Sequence, residues 1–189
     1  MRAARTQDGA ATVQAVDHPP TSAALAGMLE ENLPALRAYA RGLCGNPTQA
    51  DDLVQDTVLR ACEKLDTFDP DRPIRPWLFA ILRNEFLQDA RRSWRRMELT
   101  EAICDRELLT DATPESRSDA RRMLDMVTAL PVDLRESVSL VLGLGFTYEE
   151  ASEVCGVPAG TIKSRVSRAR ASLVEAFEER AAGRTPTAA

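Results

Sequence analysis

Residues 147–170, TYEEASEVCGVPAGTIKSRVSRAR, hold the feature that most restricts how this chain folds: two short helices around a tight turn, the second of them basic. Thr147 followed by Glu150 is a capping-box pattern, which starts a helix at Tyr148. Gly156 can take the left-handed conformation that ends a helix, and Pro158 suits the first turn of the next one. In that next helix Ile162, Val166, Ala169 and Leu173 recur at helical spacing and form an inward stripe. Lys163, Ser164, Ser167, Arg168 and Arg170 occupy the rest of the surface, and no acidic residue falls between 159 and 174. A helix of this width and charge fits the DNA major groove and offers both base and phosphate contacts. Ordinary helical hairpins share the two helices and the glycine turn. The agreement of capping box, turn, proline and acid-free helix favours a DNA-binding helix-turn-helix.

Composition narrows the class. A chain of 189 residues holds one domain or two small ones. With 28% charged and 44% hydrophobic residues it is an ordinary soluble chain, and 5% aromatic content suits small helical units with Leu, Val and Ala cores. No apolar run approaches a membrane span, and residues 1–22 lack the compact apolar stretch of a signal peptide, so a cytoplasmic protein without membrane insertion is expected. Cys44, Cys62, Cys104 and Cys155 show no close pairing and His18 is the lone histidine, which argues against a metal site. Cys44, Cys62 and Cys155 lie in apolar helical surroundings and are expected in the core. With no phosphate loop or nucleophile elbow, nothing argues for an enzyme or a cofactor.

The net charge of −5 contrasts with the basic excess usual in DNA binders. Its distribution resolves the contrast. Between 47 and 71 stand Asp51, Asp52, Asp56, Glu63, Asp66, Asp69 and Asp71 against Arg60 and Lys64. Between 83 and 96 stand Arg83, Arg91, Arg92, Arg95 and Arg96 against Glu85 and Asp89. An acidic block, a basic block and a basic recognition helix imply two kinds of partner, a basic surface and nucleic acid.

No strand-like alternation stands out, so an all-α protein is expected. A first helical stretch over 22–44, interrupted or restarted at Pro34, turns Leu25, Leu29, Leu36, Tyr39, Ala40 and Leu43 inward. Gly45 ends it, and Asn46 caps a second helix from Pro47 to about Leu65 that buries Ala50, Leu53, Val54, Val58 and Ala61. Residues 67–76, TFDPDRPIRP, read as a loop, and a long helix follows from Trp77 to about Arg96 with Leu78, Ile81, Leu82 and Phe86 as its core stripe. The expected division is a tail over 1–21, a bundle over 22–97, a flexible linker over 98–118, a second bundle over 119–178 and a tail over 179–189. Within the second bundle one helix runs to Leu130, another from Pro131 to about Gly143, and the helix-turn-helix closes it. The linker could span about 70 Å when extended. Two small helical bundles on a tether result.

The stretch GNPTQADDLVQDTVLRACEKLDTFDPDRPIRPWLFAILRNEFLQDARR resembles domain 2 of a bacterial sigma factor, and LPVDLRESVSLVLGLGFTYEEASEVCGVPAGTIKSRVSRARASL resembles sigma domain 4. Two such domains with none between them resemble the extracytoplasmic-function (group IV) class of the sigma-70 family, over roughly residues 22–175. ADDLVQDTVLRA with PWLFAILRN is also similar to the alphaproteobacterial general-stress subgroup.

The resemblance implies partners and sites. Core RNA polymerase would be met through the beta-prime clamp helices and the beta flap, with Asp51, Asp52, Gln55 and Asp56 at the clamp-docking position. The same acids would also suit a helix N-terminus for electrostatic reasons alone. Phe68, Arg75, Trp77, Arg83 and Asn84 would form the reader of the minus-ten promoter element, where an unstacked base is pocketed or stacked. Trp77 could equally pack on the preceding helix, whereas Arg83 and Asn84 lie beside the apolar stripe and are expected to be exposed. Arg91, Arg92, Arg95 and Arg96 would meet phosphates. Thr161, Lys163, Ser164, Ser167 and Arg168 would face the upstream minus-thirty-five element, with Arg165 and Arg170 serving phosphates or packing. The loop DPDRPIRP carries more proline and charge than the subgroup's pattern, which bears on base preference rather than on the location of the site.

These features imply a factor that directs RNA polymerase to promoters, with promoter DNA and an anti-sigma factor as further partners. A sigma-like decoy that only sequesters an anti-sigma factor would not need Lys163, Arg165, Arg168 and Arg170. A simple helix-turn-helix activator would leave the first bundle without a use.

Overall fold

The computed structural model describes residues 22–99 and 119–181, and every regular element among them is helical. The expected N-terminal tail, residues 100–118 of the expected linker, and 182–189 lie outside the described residues. The first unit comprises α1 (Ser22–Cys44), α2 (Pro47–Glu63), a single 3-10 turn (Leu65–Thr67) and α3 (Ile74–Leu99). The second comprises α4 (Asp119–Ala129), α5 (Val132–Val138), a π turn (Ser139–Gly143), α6 (Tyr148–Cys155) and α7 (Ala159–Ala181).

Local signals set most of these boundaries. The Asn46 side chain accepts from the amides of Thr48 and Gln49 at 2.9 and 3.2 Å, and Pro47 fills the first helical position of α2. Pro34 does not interrupt α1, and it lies on the exposed side of that helix. α3 begins at Ile74 rather than Trp77, and Pro76 sits in its first turn, where a missing N–H costs nothing. The helix expected from Pro131 to Gly143 is α-helical only to Val138 and then widens into the π turn. α7 continues to Ala181, past the boundary expected at 178.

The expected inward residues of α1 are all buried, as are Leu53, Val54 and Ala61 of α2 and Leu78, Ile81 and Leu82 of α3. Burying each such leucine contributes about 2 kcal/mol. Thr57 is also fully buried, its hydroxyl satisfied by donating to the Leu53 carbonyl at 2.7 Å, while Cys62, expected in the core, is exposed.

The two bundles are not held by a tether alone. The core of the first unit runs without a break into Leu140, Phe146, Val154, Cys155 and Ile162 of the second. Phe79, fully buried at the edge of the expected stripe of α3, carries this continuity: its ring lies 5.4 Å from Tyr39 and 4.9 Å from Phe146. Gly42 lets α1 approach the π turn closely, since a Cβ there would stand 3.2 Å from the Ser139 hydroxyl oxygen. Arg135 of α5 donates to the carbonyl of Leu43 at the end of α1 and to that of Leu130, so one guanidinium satisfies chain ends from both units. A smaller cluster of Leu130, Leu134, Val138 and Ala169 holds α5 and α7 together.

Candidate polymerase and nucleic-acid interfaces

α2 buries Leu53, Val54, Thr57 and Ala61, and this leaves Asp51, Asp52, Gln55 and Asp56 exposed together on the outer side. The structure thus brings all four expected docking residues onto one acidic face. Charge that is exposed on a helix whose inner side is fully packed costs the fold little and is available to a basic partner.

In the helix-turn-helix, Thr147 Oγ1 accepts from the Glu150 amide at 3.1 Å and the Glu150 carboxylate accepts from the Thr147 amide at 2.8 Å, completing the capping box. Gly156 has φ +66°, the left-handed turn conformation. Ile162, Val166 and Ala169 of α7 are buried, and Lys163, Ser164, Ser167, Arg168 and Arg170 are exposed. Thr161 is half-buried, and its carbonyl accepts from the Ser164 hydroxyl at 2.8 Å. Arg165 differs from its neighbours. It is half-buried and turned to α5, with Nε 3.4 Å from Asp133.

The expected minus-ten residues fall into two groups. Asn84, Arg91 and Arg92 are exposed, Arg92 lying near Asp89 and Gln88 on its own helix. The side chains of Arg95 and Arg96 lie outside the described ones. Phe68 is buried, and its ring packs on half-buried Trp77 at 5.2 Å. Together they wall a cavity of about 210 Å3 that Thr67, Asp69, Arg72 and Pro73 complete.

Arg75 and Arg83 are not exposed as the sequence led us to expect of Arg83; both turn toward the second unit. Arg75 stacks on Phe146 at 4.7 Å and donates to the Leu144 carbonyl at 3.2 Å. Arg83 Nε lies 3.0 Å from Glu136 Oε1, with the two side chains only 18% and 2% exposed. The sequence signal for this second buried side was the unbroken apolar run from Trp77 to Leu82, which marks a helix covered on two sides.

Glu136 and Arg72 are functional candidates that sequence reasoning missed. The Glu136 carboxyl is held above the ordinary carboxylate value chiefly by burial, which Arg83 and then Arg165 oppose. Arg72 pairs at 2.7 Å with Glu153 of α6, and Glu153 also lines the Phe68–Trp77 cavity. Burial pushes the Cys155 thiol up to about 11, so it is an inert packing group rather than a nucleophile.

Residues 28–96 match the sigma-70 region 2 family model and residues 120–173 match the model of sigma-70 region 4. The chain is 42% identical over 141 residues to the ECF RNA polymerase sigma factor EcfG of Rhodopseudomonas palustris, covering 75% of this chain and 78% of that one. The chain belongs to the extracytoplasmic-function group of sigma factors. RNA polymerase sigma factor CnrH of Cupriavidus metallidurans is 36% identical over 150 residues, with 74% of this chain and 78% of CnrH covered. Among solved structures, this sigma factor is similar to RpoE of Bartonella quintana in complex with the anti-sigma factor NepR, at TM-score 0.73 and 37% identity over 82% of this chain and 96% of that one. CnrH in complex with the cytosolic domain of CnrY follows at TM-score 0.61 and 29% identity, covering 84% of this chain and 90% of CnrH. A sigma factor directs transcription initiation by RNA polymerase, so the exposed acidic face and the exposed basic helix lie in regions 2 and 4 of such a factor.

Proposed function

We propose that this sigma factor works in the cytoplasm, docks on core polymerase through Asp51, Asp52, Gln55 and Asp56, and reads two promoter elements with separate surfaces. Among the described residues no helix is long and apolar enough to cross a membrane. The observation that carries the reading is the segregation of exposed charge. One acidic face on α2 meets a basic partner, and the basic face of α7 meets the upstream element through Lys163, Ser164, Ser167 and Arg168. The cavity between Phe68 and Trp77 is the minus-ten reader, with Asn84 exposed farther along α3, and Arg91 and Arg92 hold phosphates. The factor performs no covalent chemistry of its own.

The likeness to EcfG and to the NepR-bound RpoE supports assignment to the general-stress subgroup, and an anti-sigma factor as a regulatory partner. A groove of about 480 Å3 lined by Tyr39 and Gly42 of one unit and Met123, Val127, Leu142 and Leu173 of the other supplies such a partner with an apolar surface that spans both. Run-off transcription with core polymerase on a random-promoter library tests the reading. The factor selects templates sharing two short elements at fixed spacing, and a product pool no different from that of core polymerase alone refutes it.

A further inference from the structure

Between α2 and α3, beside the end of α1, lies a pocket of about 440 Å3 whose walls include Cys44, Gln49, Asp52, Leu53, Phe86 and Asp89. Its lining is graded. Leu53 is buried, Phe86 and Cys44 are half-buried, and Gln49, Asp52 and Asp89 are exposed. Burial pushes the Cys44 thiol up to about 11, with Arg135 opposing and the charge of Asp89 assisting, so this wall stays neutral. An apolar interior thus lies under a mouth that carries one carboxylate from each helix.

That gradation selects the occupant. Among the described residues Asp52 has no ion-pair partner, and Asp89 has only its helix neighbour Arg92, at 3.7 Å. No group of three or more His, Cys, Asp and Glu side chains among them is placed to hold a metal ion, so the two charges fit an organic cation. Arginine matches both halves of the pocket. Its methylene stem lies along apolar surface, its flat guanidinium stacks on an aromatic ring, and its donor fork spans two carboxylates and an amide oxygen. A lysine would bring a hydrated point charge to the mouth but no planar face for Phe86. Asp52 also belongs to the exposed acidic face of α2 with Asp51, Gln55 and Asp56, which makes the pocket the edge of that face.

We propose that an arginine of the basic partner of α2 inserts between Asp52 and Asp89 and lies on Phe86, so that the docking surface crosses the groove onto α3. The proposal rests on the assignment of the α2 face to core polymerase. The two kinds of contact act on different rates. Charge spread over the exposed face of α2 guides encounter, whereas a guanidinium seated in a pocket and bonded from two sides has to be withdrawn before the partner leaves.

Association and dissociation of the fluorescently labelled full chain with core polymerase, followed at one salt concentration without DNA, test this. Asp89→Asn dissociates several-fold faster, with its association rate and thermal midpoint nearly unchanged, and the effect is the same in an Arg92→Ala background. Asp56→Asn, on the outer face of α2 and outside the pocket lining, slows association instead. Because Asp52 and Asp89 hold one group, Asp52→Asn/Asp89→Asn loses less than the product of the two single losses, whereas Asp56→Asn/Asp89→Asn loses the full product. Ala90→Phe, which fills the pocket and leaves both carboxylates in place, also dissociates faster. Wild-type dissociation of Asp89→Asn, or multiplying losses in the Asp52 and Asp89 pair, overturns the proposal. An error in the docking assignment itself shows differently: Asp52→Asn and Asp56→Asn then bind core polymerase as wild type does.

Discussion

Arg83 of α3 and Glu136 of α5 face each other at 3.0 Å across the junction of the two units, and both are screened from water. An arginine expected beside the DNA is therefore part of the packing that joins region 2 to region 4. Its carboxylate partner is buried among Arg83 from α3, Arg165 from α7, Asp133 on its own helix, Tyr39 from α1 and Cys155 from α6.

That environment sets a pH dependence. Burial raises the Glu136 carboxyl above its ordinary 4.5, so the folded protein holds this proton more tightly than the unfolded chain does. The group's contribution to stability is full below the ordinary value and is lost as pH rises through the raised folded value. Urea unfolding of wild type and Glu136→Gln from pH 7.5 down to pH 4.5 should show the stability difference moving in favour of wild type as pH falls. A pH-independent difference would refute the role of Glu136.

The acidic face of α2 makes a second prediction. Asp52→Lys/Asp56→Lys reverses two exposed charges and changes stability by no more than about 0.5 kcal/mol per site. The variant keeps its thermal midpoint yet competes poorly for core polymerase against wild type. Normal competition by the folded variant would place the docking face elsewhere.

On α7 the exposed and half-buried basic residues part company. Lys163→Ala and Arg168→Ala change which upstream sequence is preferred, because a specific base contact is worth about 1–3 kcal/mol of discrimination. Arg165→Ala removes the partner of Asp133 and a positive neighbour of Glu136, lowering stability by about 1–2 kcal/mol with preference unchanged. Selection on a randomised upstream element, together with denaturant melts, separates the outcomes; a preference shift in the Arg165 variant alone would reverse the assignment.

The turn itself is testable through its cap. Thr147→Ala deletes the acceptor of the Glu150 amide and costs about 1 kcal/mol, read as a lower midpoint in a thermal melt. Thr147→Ser, which keeps the hydroxyl, recovers most of the loss.

Sequence alone determined the helical elements and the chemistry of their outer faces. The capping box at Thr147, the cap at Asn46 and the stripe Ile162–Val166–Ala169 each operate within a few residues, so the signal and the structure it specifies lie on the same stretch of chain. The acidic face of α2 and the basic face of α7 were readable for the same reason: an exposed side chain answers only to solvent and to its own helix. The tertiary structure alone decided what α3 does with its second side. Phe79, Arg75 and Arg83 carry no local mark of their partners, which are Phe146, the Leu144 carbonyl and Glu136, far along the chain. Whether a charge beside an apolar stripe meets water or another bundle depends on which surface arrives there. That is settled by the summed burial of two faces, a quantity spread over both units and written in no single segment.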